Sequence, residues 1–117
     1  MSEWLEMGRI SDLKDGVMKA VAAAGREFLL VRIGGQYYVA DKRCPHMGGD
    51  LSRGQLQGTV VTCPRHGSQF DLTDGHVVRW TAWSGAKLSV AKVLKSPRPL
   101  KMYATKVEGD RVLIAVE

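Results

Sequence analysis

Along most of this chain apolar residues come in short bursts, and glycine-bearing turns separate them about every eight to twelve residues, the rhythm of an all-β protein. The clearest burst is Phe28-Leu29-Leu30-Val31-Arg32-Ile33, followed by Gly34-Gly35 and then Gln36-Tyr37-Tyr38-Val39-Ala40. Two β-favouring runs around a Gly-Gly pair, which can take positive φ at both central positions, predict a hairpin. Residues 17–23 predict a preceding strand, with turns at Lys14-Asp15-Gly16 and Ala24-Gly25. A second hairpin is predicted near the end, from residues 102–107 through Glu108-Gly109-Asp110 to residues 111–116. Between the hairpins, residues 59–62, 69–72 and 76–78 predict shorter strands, with a turn at Asp74-Gly75. One stretch departs from this rhythm. Ala86, Val90, Val93 and Leu94 follow helical spacing, with Lys92 and Lys95 opposite, Gly85 before and Pro97 after. That pattern predicts a short helix over residues 86–95, with a strand through Leu88 and Val90 as its alternative.

At 117 residues the chain is expected to form one domain, 1–117, with a modest core that needs no disulfide staple. It contains no apolar run of about 18 residues and no signal-peptide pattern, so it is expected to be soluble, not exported and not membrane-bound. The formal charge is +5, and Arg79, Lys87, Lys92, Lys95, Arg98 and Lys101 fall in a stretch without a single Asp or Glu. Such a run can meet nucleic acid, an anionic membrane or an acidic protein, or can simply be a solvated face. No nucleic-acid motif and no basic/aromatic interleaving is present, so nucleic acid is not expected as a partner.

The candidate chemistry lies in Cys44-Pro45-His46-Met47-Gly48-Gly49 and Cys63-Pro64-Arg65-His66-Gly67-Ser68, which use both cysteines and two of the three histidines. Two thiolates and two imidazoles can hold a tetrahedral zinc, or a [2Fe–2S] cluster with two Cys on one iron and two His on the other. Zinc sites usually pair like with like, whereas each segment here offers one Cys and one His, which suits a dinuclear centre spanning two loops. Gly48, Gly49 and Gly67 let the backbone bend tightly and bring amides close to sulfur. A Cys63–His66 nucleophile–base pair would ignore the matching pair Cys44 and His46. With both thiols in this motif, a reducing compartment, the cytoplasm, is expected. His76 lies outside the motif and reads as a surface-turn residue. Trp80 and Trp83, which precede the helical stretch, read as core packing or as a partner-facing spot.

These two segments, the second extended through Gln69-Phe70-Asp71, resemble the Rieske [2Fe–2S] binding motif, and the strand order around them is similar to that of stand-alone Rieske-type ferredoxins. The resemblance implies a small antiparallel β-sandwich whose cluster-binding subregion, about residues 41–76, carries two loops, with the short helix as an insertion. It implies one [2Fe–2S] cluster, with Cys44 and Cys63 on one iron and His46 and His66 on the other. Around it would stand Met47, Gly48, Gly49, Gly67, Ser68, Phe70 and Pro99, the last in a segment resembling the family's proline-containing third loop; Met47 and Phe70 could equally be ordinary core. Two departures from the family's high-potential respiratory branch bear on the redox potential. The positions of that branch's disulfide correspond to Gly49 and Arg65, which cannot form one, and its sulfur-bonding Tyr is Phe70 here. Ser68 does match that branch's other hydroxyl donor. The expectation is the lower half of a range of roughly −150 to +300 mV, falling at high pH as the histidines deprotonate.

The function that follows is one-electron carriage from a reductase to a terminal oxygenase or other redox partner, in a protein that is not itself an enzyme. Alternatives are the Rieske-like small subunit of a larger reductase, of nitrite-reductase type, and a zinc-stabilised binding module. Lys87, Lys92, Lys95 and Arg98 are candidate docking residues for partners with acidic faces.

Overall fold

The computed structural model describes residues 3–45, 48–65, 67–79 and 98–116. Eleven strands run through them: β1 (Glu3–Arg9), β2 (Met18–Ala23), β3 (Arg26–Ile33), β4 (Gln36–Asp41), β5 (Gln55–Gln57), β6 (Val60–Thr62), β7 (Gln69–Asp71), β8 (Val77–Arg79), β9 (Met102–Tyr103), β10 (Thr105–Glu108) and β11 (Arg111–Val116). They form three antiparallel sheets, ordered β1-β11-β10, β2-β3-β4-β9 and β5-β6-β7-β8. Both predicted hairpins are present. In the first, Ile33 pairs with Gln36 across Gly34 and Gly35, whose φ angles are +58° and +79°. The helix expected over residues 86–95 lies outside the described residues, as do Trp80 and Trp83.

The unbroken apolar run of β3 has a direct physical reason. Successive side chains of a strand point to opposite faces, so a strand covered on both faces must be apolar throughout. Leu29 and Val31 enter one core with Ala40, Cys44, Leu51, Val61, Cys63, Phe70, Leu72 and Leu100. Phe28 and Leu30 enter another with Met7, Leu13, Val39, Tyr103, Val112 and Ile114. The β2-β3-β4-β9 sheet is therefore the middle layer. One face packs on the terminal β1-β11-β10 sheet, and the other on the β5-β6-β7-β8 sheet, whose β6–β7 hairpin carries the second cysteine loop; the first loop follows β4.

Two features were not anticipated. β1 pairs with β11 along its length, with a bulge at Met7 between Glu6↔Leu113 and Gly8↔Val112. The expected single strand over residues 102–107 breaks at Ala104 and changes sheet: Met102 and Tyr103 pair with Ala40 and Val39, whereas residues 105–108 pair with β11.

Candidate metal centre

The two cysteine segments fold into loops with one hydrogen-bond frame. In the first, the Cys44 amide donates to the Gly49 carbonyl (2.8 Å) and the Gly48 amide to the Cys44 carbonyl (3.0 Å). In the second, the Cys63 amide donates to the Ser68 carbonyl (2.8 Å) and the Gly67 amide to the Cys63 carbonyl (3.1 Å). The glycine in the fifth position has φ +75° in one loop and +74° in the other. That left-handed geometry penalises any residue with a Cβ, so the shared Cys-Pro-x-x-Gly pattern is a backbone requirement as well as a chemical one. Cys63 and Ser68 close the β6–β7 hairpin, which pairs Thr62 with Gln69. The first loop is closed by an Arg43↔Asp50 bridge and a Leu51 amide donating to the Lys42 carbonyl at 2.9 Å.

Both thiols are unbridged and buried, each side chain's residue only 3% exposed, and both join the core that holds Phe70 and Leu72. The loops meet closely. A Cβ added at Gly49 would stand 2.6 Å from Cys63 Sγ and 3.2 Å from Arg65 Cβ. Glycine is thus required at position 49 by contact with sulfur, not by backbone angle. The same geometry puts positions 49 and 65 face to face, at nearly the Cβ separation a disulfide would use, about 3.5–4.5 Å; glycine and arginine there leave the loops without a covalent tie. Two buried thiols with a backbone cradle held against one sulfur fit a sulfur-ligated metal group that is shielded from water.

Charged side chains brace the first loop from outside. Asp50 accepts from the Ser52 amide (3.0 Å) and hydroxyl (2.6 Å) and pairs with Lys42 (3.6 Å), which also pairs with Glu27. Burial alone would raise the Asp50 pKa, but the Ser52 bonds and the Lys42 ammonium outweigh it and hold the carboxyl below its usual range. Lys42 is held above its usual range, mainly by its bond to Glu27. A longer link ties this region to the far core: Arg26 donates to the Tyr103 hydroxyl, which donates to Asp41, both at 2.5 Å. Burial, then the Asp41 bond and charge, push the Tyr103 phenol up to about 12.

Of the predicted site residues, Cys44, Gly48, Gly49, Cys63, Gly67, Ser68 and Phe70 lie in or beside the two cysteine loops; Ser68 and Phe70 are wholly buried. His46, Met47, His66, Lys87, Lys92 and Lys95 lie outside the described residues. Arg98 and Pro99 are exposed, and the following Leu100 is buried in the same core as the cysteines. Gly75 secures that segment: its carbonyl accepts from the Leu100 amide at 2.8 Å, and a Cβ on Gly75 would stand 2.2 Å from the Leu100 carbonyl oxygen. His76 sits exposed at the turn, as expected, bonded to Asp74 at 2.5 Å. Sequence reasoning missed the part played by Arg79, whose Nε and Nη2 donate to the Gly67 carbonyl at 3.1 and 3.0 Å. Nothing in the local sequence signals a contact across twelve residues of chain.

Residues 3–104 match the Rieske [2Fe–2S] domain family. The ferredoxin component of the naphthalene 1,2-dioxygenase system of Pseudomonas putida is 30% identical over 112 residues, 96% of this chain and 94% of that one. The ferredoxin of carbazole 1,9a-dioxygenase from Nocardioides aromaticivorans IC177 superposes with a TM-score of 0.79 at 24% identity, covering 97% of this chain and 98% of that one. A solved complex of reduced oxygenase and oxidized ferredoxin in carbazole 1,9a-dioxygenase contains a chain that matches with a TM-score of 0.75 at 26% identity, covering 96% of this chain and 92% of the other. The zinc alternative left open by the ligand types is set aside by these matches. With its two buried thiols framed alike in paired loops, the chain belongs to the Rieske [2Fe–2S] domain family and carries one [2Fe–2S] cluster.

Proposed function

We propose that this chain is a one-electron carrier that takes electrons from a reductase and delivers them to a terminal oxygenase. Cys44 and Cys63 would hold one iron of its cluster, and His46 and His66 the other. The observation that carries this reading is the pair of unbridged, buried thiols set in loops of one hydrogen-bond frame and sharing a single core. The naming of its relatives as ferredoxin components of dioxygenase systems supports the choice of partner.

When bound, the cluster supplies reversible one-electron chemistry, at a potential above the roughly −400 mV of an all-cysteine plant-type centre because two neutral imidazoles replace two thiolates. The chain's own part is to keep the ligands still and dry. The paired amide–carbonyl bonds of each loop hold Cys44 and Cys63 in place whichever oxidation state is present, so little reorganisation accompanies transfer. Leu51, Val61, Phe70 and Leu72 exclude water from the sulfur side. Leu100, on the segment secured by Gly75, adds to that apolar cover from a third stretch of chain. The protein would work in the cytoplasm, where both thiols stay reduced before the cluster is built.

The test is anaerobic purification followed by metal analysis and electron paramagnetic resonance of the dithionite-reduced protein. Two irons and two sulfides per chain are expected, with a Rieske-type signal that is lost in Cys63→Ser and in His66→Ala. Zinc in place of iron, or a full cluster in both variants, would overturn the ligand assignment. Docking is tested separately. The basic stretch that includes Arg98 and Lys101 would meet an acidic partner face, so reduction by the reductase should slow as salt rises. Lys92→Glu with Lys95→Glu should slow it further without moving the potential; a rate indifferent to salt removes that docking mode.

A further inference from the structure

The two loops share a feature beyond their backbone frame: an arginine guanidinium lies against the left-handed glycine of each. In the first loop Arg43 comes from the chain just before it, and a Cβ on Gly48 would meet its Nε at 2.6 Å. In the second the arginine comes from another strand. Arg79 ends β8 and gives two donors, at 3.1 and 3.0 Å, to the Gly67 carbonyl. The strand is bent to make this possible. Phe70 pairs with Val77 but Gln69 pairs with Arg79, so Val78 is an extra residue, a β-bulge. Bulges re-aim the side chain beside them, and Val78 itself is left 48% exposed.

We infer that Arg79 is a positioning residue for the second cluster loop, holding the Gly67–Ser68 peptide from β8 so that the segment bearing Cys63 and His66 keeps its ligating shape. The inference rests on the ligand assignment proposed above. A planar trans peptide points its N–H opposite to its carbonyl, so with the Gly67 carbonyl turned to the guanidinium, the Ser68 amide points away from it. The fork therefore fixes the orientation of the whole peptide plane that joins Gly67 to the buried Ser68. Two donors from one planar cation resist rotation of that plane in a way one donor cannot. It also means that Arg79, the first cation of the basic run, is engaged within the chain.

The experiment compares cluster-loaded wild type with Arg79→Ala and Arg79→Lys. Iron release to a chelator and hydrogen exchange at the Gly67 and Ser68 amides are followed together. Both variants should load the cluster, release iron about five- to tenfold faster and exchange at those two amides faster by a similar factor, as suits one charge-assisted contact discounted for exposure. The amides of β3 should exchange as in wild type, which marks the effect as local. Wild-type exchange at Gly67 and Ser68 in both variants overturns the inference, whatever metal the chain holds. Full rescue by lysine also overturns it, because charge alone would then suffice. A wild-type chain that takes up zinc would overturn the ligand assignment instead, and the exchange rates would still decide the role of Arg79.

Discussion

Replacing Gly49 by alanine tests the contact between the two loops directly. The new Cβ would stand 2.6 Å from Cys63 Sγ and 3.2 Å from Arg65 Cβ. Non-bonded heavy atoms settle at about 3.5–4.0 Å, so sulfur and methyl must part by roughly 1 Å. Neither is the free end of a long side chain: Cys63 has one rotatable bond and its residue is buried. Forcing an extra methyl into such a place costs typically ~1–3 kcal/mol. A ligand must hold its place within about 0.5 Å, so the displacement falls on the metal group more than on the fold. The chain with Gly49→Ala should therefore fold, yet retain less than about a tenth of the wild-type cluster, the factor that corresponds to about 1.4 kcal/mol. The control is Gly48→Ala. There the Cβ meets the flexible end of Arg43, and the residue's φ of +75° adds backbone strain of about 1–2 kcal/mol. It should lower the thermal midpoint and still load the cluster. Iron and sulfide per chain, the visible spectrum and the melting curve distinguish the two. A Gly49→Ala protein with full iron and the wild-type bleaching rate would refute the argument that glycine is kept at position 49 for the sulfur.

Phe70 is wholly buried in the core that contains both thiols, so Phe70→Tyr would place a hydroxyl near sulfur. One donated bond worth ~1 kcal/mol to the reduced state would raise the potential by about 40 mV, read by protein-film voltammetry; an unchanged potential would reject that placement. The Tyr103 phenol, raised to about 12, contributes stability that is fully present below the ordinary tyrosine value of about 10 and is lost as pH rises through about 12. Ultraviolet difference titration should show one late-ionising phenol that disappears in Tyr103→Phe. That variant should be less stable by ~1–2 kcal/mol at neutral pH, with the gap closing above pH 10. Gly75→Ala drives a Cβ into the Leu100 carbonyl, 2.2 Å away, and should lower the melting temperature by roughly 8–10 °C for about 2 kcal/mol. A melting curve like that of wild type would show that the segment from Arg98 to Leu100 is not held at Gly75.

The parts of this protein that are legible in its residues alone are those that local chemistry dictates. A β-rich run, a Gly-Gly pair and a second run specify the β3–β4 hairpin, because both the turn angles and the strand preference are properties of a few adjacent residues. The cysteine loops were legible for the same reason: Cys-Pro-x-x-Gly carries its donors, its rigid entry and its left-handed residue within five positions. The tertiary structure alone decided what depends on residues far apart in the chain. β1 has weak strand formers at its centre, and only the partner strand β11, more than a hundred residues away, makes it a strand. Ala104 reads as the middle of one strand, yet the next residues pair with a different sheet because two layers compete for them. The Gly49–Cys63 contact and the Arg79 fork arise only once separate hairpins have closed on each other and the Val78 bulge has turned β8. Loop-closure entropy opposes such contacts, and only the shared burial of whole sheets offsets it, so no local pattern announces them.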